Sequence, residues 1–286
     1  MNINDLKRLI RRVDDLPTLP RTVFKITELV NSPKSSARDL ARVVADDQVL
    51  TARLLRLVNS SFYGFPQRVS TVTGAIVLLG FDAIRNLLLT TSVFDLFSPG
   101  QKKNFTDHGL LWDHSLGCAV GAKVIGHHIR YEKIEELFVC GLLHDIGKIV
   151  EMRFLPREFE RITSLVQQEN LLIAVAEERV LGFNHAAVGA LLVEGWNLPA
   201  NLAAVVGCHH QPADAGRFSL EAAVVHCADI LCRALDTGSG GDAKIPPLDP
   251  NAWQSLELKT ETIETIMDQM AQAFEDIRPF ATEKIS

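Results

Sequence analysis

Seven histidine and aspartate residues in the last two thirds of the chain could together bind two metal ions. Neutral imidazoles combined with a few carboxylates are the ligands that transition metals select, and we expect iron or manganese, with zinc or nickel as alternatives. Seven ligands exceed the coordination capacity of a single ion, so the set predicts two divalent ions. The candidate ligands are His114, His144, Asp145, His185, His209, His210 and Asp229.

Two local arrangements indicate metal binding more specifically than the types of residue alone. Asp145 directly follows His144 and could bridge two ions, because each carboxylate oxygen can bind one of them. The pair lies in the apolar helical segment 140–148, where an apolar wall excludes water and fixes side-chain rotamers. Adjacent helical side chains point about 100° apart, so His209 and His210 could serve one cluster only across their shared edge. That geometry suits two ions better than one.

The order His, His-Asp, His, His-His, Asp resembles the HD superfamily of metal-dependent phosphohydrolases in its longer, two-metal form. The N-terminal third resembles HDOD proteins, the HD-related output domains of bacterial signalling, and the similarity extends from Leu16 to Asp236. The resemblance implies a helical N-terminal lobe followed by an HD-type helical bundle with a metal site. The segments that match the HDOD pattern are Leu16–Pro20, Asp39–Asp47, Leu50–Gly64 and Ala75–Gly80.

The chain departs from these relatives at three points. Many HDOD proteins have lost metal ligands, whereas the whole set is retained here. The related HD-GYP phosphodiesterases of cyclic di-GMP carry Asp-Gly-x-Gly-Tyr-Pro soon after the paired histidines, whereas the segment His210–Gly216 reads His-Gln-Pro-Ala-Asp-Ala-Gly. Some of those enzymes hold a third metal through a Glu four residues before the first His, where this chain has Leu110. The comparison therefore implies two metals and does not favour cyclic di-GMP as the substrate.

Lys148 has two interpretations. It follows Asp145 by three residues and His144 by four, so a continuous helix would place its ammonium on the ligand-bearing face, where it could stabilise a phosphoryl oxygen. Alternatively, it is a charge near a helix C-terminus that faces solvent. Because HD-x-x-Lys matches the family, we take Lys148 and Asp145 as the candidate catalytic residues. Asn184 is a typical N-cap and would place His185 in the first turn of a helix.

Composition limits the class of protein. The chain has 286 residues, of which 47% are apolar, and it contains no apolar run of transmembrane length. The first ten residues lack the features of a signal peptide, so we expect a soluble, cytoplasmic protein without a membrane partner. The net charge of −6 argues against a nucleic-acid partner. A small basic cluster, which is most simply a solvated helix face, consists of Lys7, Arg8, Arg11 and Arg12.

Hydrophobic residues recur at helical spacing, and alternating β-branched runs are missing, so the sequence predicts an all-α fold. The clearest break is Phe97–Asn104, which divides the chain into a helical N-terminal lobe (1–105) and an HD-like metal-binding domain with a C-terminal helix (106–286). The first part has 15 Lys and Arg against 9 Asp and Glu, and the second has 14 against 26. The Gly-rich segment Asp236–Pro247 is predicted to be a flexible loop.

Three functions are compatible with these features. The first is metal-dependent hydrolysis of a phosphoester in a nucleotide or cyclic dinucleotide, favoured by the complete ligand set and Lys148. The second is a signal output or scaffold module that binds a protein partner, with metals serving stability, favoured by the HDOD resemblance. The third is oxidation at a di-iron centre, which occurs in other branches of the HD superfamily and for which the sequence offers nothing specific.

Overall fold

The computed structural model describes residues 36–97 and 108–282, together with residues 25, 26, 28 and 29. All regular structure in these segments is helical and none of it is β-strand, which confirms the predicted all-α class. The Leu16–Pro20 motif, the basic cluster of residues 7–12 and the predicted domain boundary after residue 105 lie outside the described residues. Within the described part, no helix has the length and apolar character that a membrane span requires.

The chain divides into two compact units. The smaller unit contains residues 19–96 and the residues from Ala271 onward. Its first described helix begins with a capping box, in which the Ser36 side chain accepts from the Asp39 amide and the Asp39 carboxylate accepts from the Ser36 amide. The helices of its first segment are α1 (Ala37–Ala45), α2 (Gln48–Val58), α3 (Val72–Leu79) and α4 (Phe81–Phe97).

The larger unit, whose described residues are Phe97 and 108–270, contains all seven candidate metal ligands. Its central helices contain long buried runs, residues 111–126 and 137–151, as expected for the core of a bundle. The helices up to the fourth candidate ligand are α5 (His108–His128), α6 (Ile134–Leu143), α7 (Ile146–Phe154), α8 (Pro156–Glu169), α9 (Ile173–Leu181) and α10 (His185–Gly195). The later ones are α11 (Ala200–Cys208), a 3₁₀ helix (Pro212–Phe218), α12 (Ser219–Ala234), α13 (Pro250–Ser255) and α14 (Thr262–Thr282), whose last turns belong to the smaller unit.

Close packing between helices positions the ligands. Helix α5 packs along both α6 and α12, and α10 packs along both α7 and α11. Gly147 allows α7 and α10 to approach closely, because a Cβ atom at this position would collide with the carbonyl oxygen of His185. The close packing of α7 against α10 therefore brings His144 and Asp145 next to His185, although these residues are far apart in sequence.

The segment after α12 is held in place, contrary to the flexible loop predicted for Asp236–Pro247. The Ser239 amide donates to the Leu110 carbonyl at 2.9 Å, and Asp242 accepts from the Ile173 amide at 2.9 Å. Gly238 lies at φ +68 against the backbone of α5, where any side chain would collide with His114. The glycines that predicted flexibility serve instead to let the loop approach α5.

Candidate metal centre

The structure brings all seven predicted ligands together in the larger unit. They come from both ends of helices as well as from helix interiors. Six of the seven side chains are buried, and His210 is partly exposed. The ligands lie on α5 (His114), between α6 and α7 (His144, Asp145), at the start of α10 (His185), directly after α11 (His209, His210) and on α12 (Asp229).

One trio of ligands consists of His114, His144 and Asp229, whose ligand atoms all lie within 4.8 Å of one another. His114 Nε2 is 3.1 Å from Asp229 Oδ1, and His144 Nε2 is 4.0 Å from the same oxygen. Asp145 Oδ2 lies 3.4 Å from His114 Nε2 and 3.3 Å from His144 Nε2. Four potential ligand atoms therefore lie close together in this half of the site.

A second trio, with the same limit of 4.8 Å between ligand atoms, consists of His185, His209 and His210. His185 Nε2 is 3.0 Å from His210 Nε2, which is about the separation of two nitrogens that share one ion. Asp145 Oδ1 lies 3.0 Å from His185 Nε2 and 4.0 Å from His209 Nε2. Each oxygen of Asp145 thus faces one trio, which is the arrangement expected of a carboxylate bridge.

The outer ring nitrogens fix which tautomer three of the histidines adopt. His144 Nδ1 donates to the Gly141 carbonyl at 2.7 Å, and His209 Nδ1 donates to the Val206 carbonyl at 2.8 Å. His185 Nδ1 donates to Glu177 at 2.6 Å. In the neutral form of each ring the proton is therefore on Nδ1, and Nε2 presents a lone pair toward the centre of the cluster.

Unpartnered atoms indicate that the cluster is built for cations. The Nε2 atoms of His114, His144 and His209 are buried and make no hydrogen bond within the described residues. A buried polar atom without a partner costs free energy, and a metal ion would supply a partner for all three. The donor set of imidazoles and carboxylates fits divalent transition-metal ions.

The electrostatics keep three of the candidate ligands, Asp145, His209 and His210, in their metal-binding protonation states. Burial alone would raise the pKa of Asp145, but the neighbouring charges of His144 and Lys148 hold it well below the usual value. Burial and the nearby His210 hold the pKa of His209 well below that of a free imidazole. Burial, with the charge of His185, lowers the pKa of His210 to about 3. Ionised carboxylates and neutral imidazoles are the forms that bind metals.

A buried glutamate that the sequence analysis did not identify positions one ligand. Glu177 Oε2 accepts from His185 Nδ1 at 2.6 Å and from the His185 amide at 2.8 Å. The charge of His185 overcomes the effect of burial and holds the pKa of Glu177 below its usual value. A second buried carboxyl group, Glu151, lies beside it, and burial together with Glu177 raises the pKa of Glu151 well above the usual value.

Lys148 is part of the cluster and does not face solvent. Its side chain is 1% exposed, and its ammonium donates to Asp145 Oδ2 at 2.6 Å and to the Gly240 carbonyl at 2.7 Å. The predicted continuous helix through His144 and Lys148 is interrupted, since α6 ends at Leu143 and α7 begins at Ile146. The break turns the Asp145 carboxylate toward both trios and still leaves Lys148 next to it.

Further polar contacts complete the surroundings of the ligands. Arg233 Nε donates to Asp229 Oδ1 at 3.0 Å, and the same guanidinium donates to Asp242 at 3.1 Å. His226 Nδ1 donates to the His209 carbonyl at 2.9 Å, and His226 Nε2 accepts from an amide of the loop before α13. His226 therefore supports the backbone of the paired histidines. The predicted N-cap is also present, since Asn184 Oδ1 accepts from the amide three residues later.

A helical bundle whose core holds this histidine and aspartate cluster defines an HD-related protein. The chain belongs to the HDOD domain family, whose model matches residues 16–212. It is similar to the crystal structure of an HDOD domain protein with unknown function from Geobacter sulfurreducens. That match has a TM-score of 0.80 and 28% identity and covers 98% of this chain and 97% of the other.

Two other proteins extend the comparison. A candidate phosphohydrolase from Shewanella amazonensis SB2B matches with a TM-score of 0.73 and 24% identity over 96% of this chain and 98% of its own, which shows a common fold. An uncharacterized protein of Treponema pallidum (strain Nichols) is 27% identical over 232 residues, which are 79% of this chain. This chain spans 44% of the length of that relative.

Proposed function

We propose that the chain is a signalling protein of the HDOD family whose larger unit binds two divalent transition-metal ions and hydrolyses a phosphoester. The observation that carries the proposal is the position of Asp145, with one carboxylate oxygen directed at each trio of ligands. Such a carboxylate holds two ions close enough to act on one substrate. A nucleotide or a cyclic dinucleotide is the proposed class of substrate.

The chain's residues would hold the ions in two halves that share Asp145. His114, His144 and Asp229 would bind one ion, and His185, His209 and His210 would bind the other. When bound, two such ions polarise a phosphoryl oxygen and lower the pKa of a water molecule to near neutrality. Arg233 and Glu177 orient Asp229 and His185 by the hydrogen bonds described above, which reduces the rearrangement that binding requires.

Lys148 is proposed to act as a catalytic residue that stabilises charge on a phosphoryl oxygen. In the structure its ammonium is bound to Asp145 and the Gly240 carbonyl, so this role requires it to exchange the carbonyl for the phosphoryl group. Lys148→Ala should then leave the metal content unchanged and lower turnover by about one to three orders of magnitude. Loss of metal from this variant would show instead that Lys148 only positions Asp145.

The direct test is elemental analysis of the purified chain, followed by phosphate release from a panel of nucleotides and cyclic dinucleotides. We expect about two ions per chain and metal-dependent release from at least one compound. The Asp145→Ala variant is the matched control and should release no phosphate. A fully loaded protein that hydrolyses none of the panel would refute the hydrolase proposal.

The alternative is a non-catalytic output module that binds a signalling protein, with structural metals. Exposed apolar residues in the smaller unit favour this function, since Val77 is 78% exposed and Leu78 is 55% exposed on α3. A Val77→Ser/Leu78→Ser variant should then lose partner binding while keeping its metal content. Metal-dependent phosphate release by the wild-type protein from a compound of the panel would favour the hydrolase instead.

A further inference from the structure

A cavity of about 360 Å³ in the larger unit leads to the metal centre. It reaches the ligand set at His210 and Asp229, so a substrate that enters here arrives at both halves of the site. Part of its wall is apolar and comes from the start of α9 and from the loop before α13, including Ile173 and Pro246. The cavity is therefore the natural place for the part of a substrate that is not bound by the ions.

The charged residues that line this cavity are mostly acidic. Four carboxylates belong to the lining, namely Glu178, Asp214, Asp229 and Asp242. Among the described residues of the lining, the one Lys or Arg side chain is Arg233, and it is bound to both Asp229 and Asp242. Its positive charge is therefore balanced by its own partners and is not available to a second anionic group.

The positive charge of the site would be concentrated at its floor. Two divalent ions would exceed the negative charges of Asp145 and Asp229, so a phosphoryl group is attracted to that point. Glu178 and Asp214 are exposed in the cavity, where a negative group on the rest of the substrate would be repelled. The electrostatic potential of the site thus attracts one anionic group to the ions and repels a second anionic group in the outer part of the cavity.

We propose that the site accepts a phosphoester with a single phosphoryl group whose remaining part is neutral or cationic, and that it rejects substrates with a second anionic group. This inference rests on the proposed two-metal function and narrows its substrate class. A nucleoside monophosphate satisfies the rule, because its base and sugar are neutral. A cyclic dinucleotide violates it, because its second phosphate would lie near Glu178 or Asp214.

The experiment is calorimetric titration of the metal-loaded full chain with three small phosphomonoesters of similar size. Glycerol 3-phosphate has a neutral tail, phosphoethanolamine has a cationic tail and 3-phosphoglycerate has an anionic tail. We expect 3-phosphoglycerate to bind about tenfold more weakly than glycerol 3-phosphate, as two partly screened carboxylates would cause. Phosphoethanolamine should bind at least as tightly as glycerol 3-phosphate.

A double variant identifies the residues responsible. Glu178→Gln keeps an acceptor for the Asn184 side chain, which donates to Glu178 at 2.8 Å, and Asp214→Asn changes an exposed side chain. The double variant should reduce the difference between the anionic and neutral probes to less than about threefold. Glu264→Gln, which removes an exposed carboxylate outside the cavity lining, should leave the difference intact. Equal affinities for all three probes in wild type, or a difference that persists in the double variant, would overturn the inference.

Hydrolysis of p-nitrophenyl phosphate by the same samples separates this inference from the proposed function. Charge-dependent binding without hydrolysis of this compound or of any compound in the nucleotide panel supports the inference and refutes the hydrolase. Hydrolysis without any preference among the three probes supports the hydrolase and refutes the inference. Failure of all three probes to bind overturns the inference as well, because the ions then do not attract a phosphoryl group.

Discussion

Replacing Glu177 with Gln should weaken metal binding at the half of the site that contains His185. Glu177 makes two hydrogen bonds to His185, at 2.6 Å to Nδ1 and at 2.8 Å to the amide. The ionised carboxylate also makes the imidazole a stronger ligand, because it stabilises positive charge on the ring. Loss of an outer partner of this kind typically costs about 10-fold to 100-fold in metal affinity, or about 1.4 to 2.7 kcal/mol.

The assay is competition with a chromophoric chelator at pH 7, which gives the affinity for each ion. Glu151→Gln is the matched control, because Glu151 is equally buried and lies beside Glu177. Its pKa is raised well above the usual value by burial and by Glu177, whereas that of Glu177 is lowered, so Glu151→Gln removes less negative charge than Glu177→Gln does. The control should therefore bind metal as wild type does. Equal affinities for wild type and Glu177→Gln would refute the assignment of Glu177 as a positioning residue.

Three further substitutions test other contacts. Asp145→Ala should lose both ions because the bridge is removed, and elemental analysis that finds full occupancy would contradict the proposed ligand set. Gly238→Ala should lower the free energy of unfolding by about 2 kcal/mol or more, because it adds backbone strain at φ +68 and a collision with α5. Gly195→Ala is the control and should not destabilise the protein, because a Cβ atom there meets nothing within 4 Å. Urea unfolding measures both variants. Glu151→Gln should be more stable than wild type at pH 7 but not near pH 4. Because the pKa of Glu151 is higher in the folded state than the usual 4.5, wild type loses stability as pH rises between the two values, and Gln does not titrate.

The proximity of the seven candidate ligands could be predicted from the sequence because two adjacent pairs are recognisable local patterns and the order of the whole set resembles a known family. The His144 and Asp145 pair lies in an apolar segment, and His209 and His210 are adjacent. The order of the candidate ligands along the chain resembles that of the HD superfamily. This order connects residues that lie too far apart in sequence for any local pattern to relate them. The structure places all of them within one cluster in the core of the larger unit.

The supporting residues could not be predicted in the same way, because their roles depend on packing between helices. Glu177 follows the buried Ala176 on α9, and a carboxylate next to the apolar face of a helix is the one sequence feature that indicates a buried role. The sequence does not identify its partner, because His185 belongs to the next helix. The Asp236–Pro247 segment has the composition of a flexible linker. Its contacts with α5 and α9 involve backbone atoms, which composition does not reveal.

The two halves of the centre differ in their access to solvent, which leads to the last prediction. Gly240 closes the side of His114, since a Cβ atom on Gly240 would lie 3.3 Å from His114 Nε2. The other half includes His210, which is partly exposed and lines the cavity. An ion bound there can leave directly through the cavity. The ion beside His114 meets the cavity only at Asp229, which is 2% exposed, and the loop covers it on the side of His114, so it should leave more slowly.

A chelator should therefore remove the two ions at different rates, in a fast and a slow phase of equal amplitude. His210→Ala should abolish the fast phase, because that ion loses a ligand and is not retained, and the slow phase should persist. Ser239→Pro, which removes the amide that donates to Leu110, should accelerate the slow phase selectively, because it weakens the attachment of the loop to α5. A single phase in wild type, or a slow phase that Ser239→Pro does not change, would show that the loop does not control access to the inner ion.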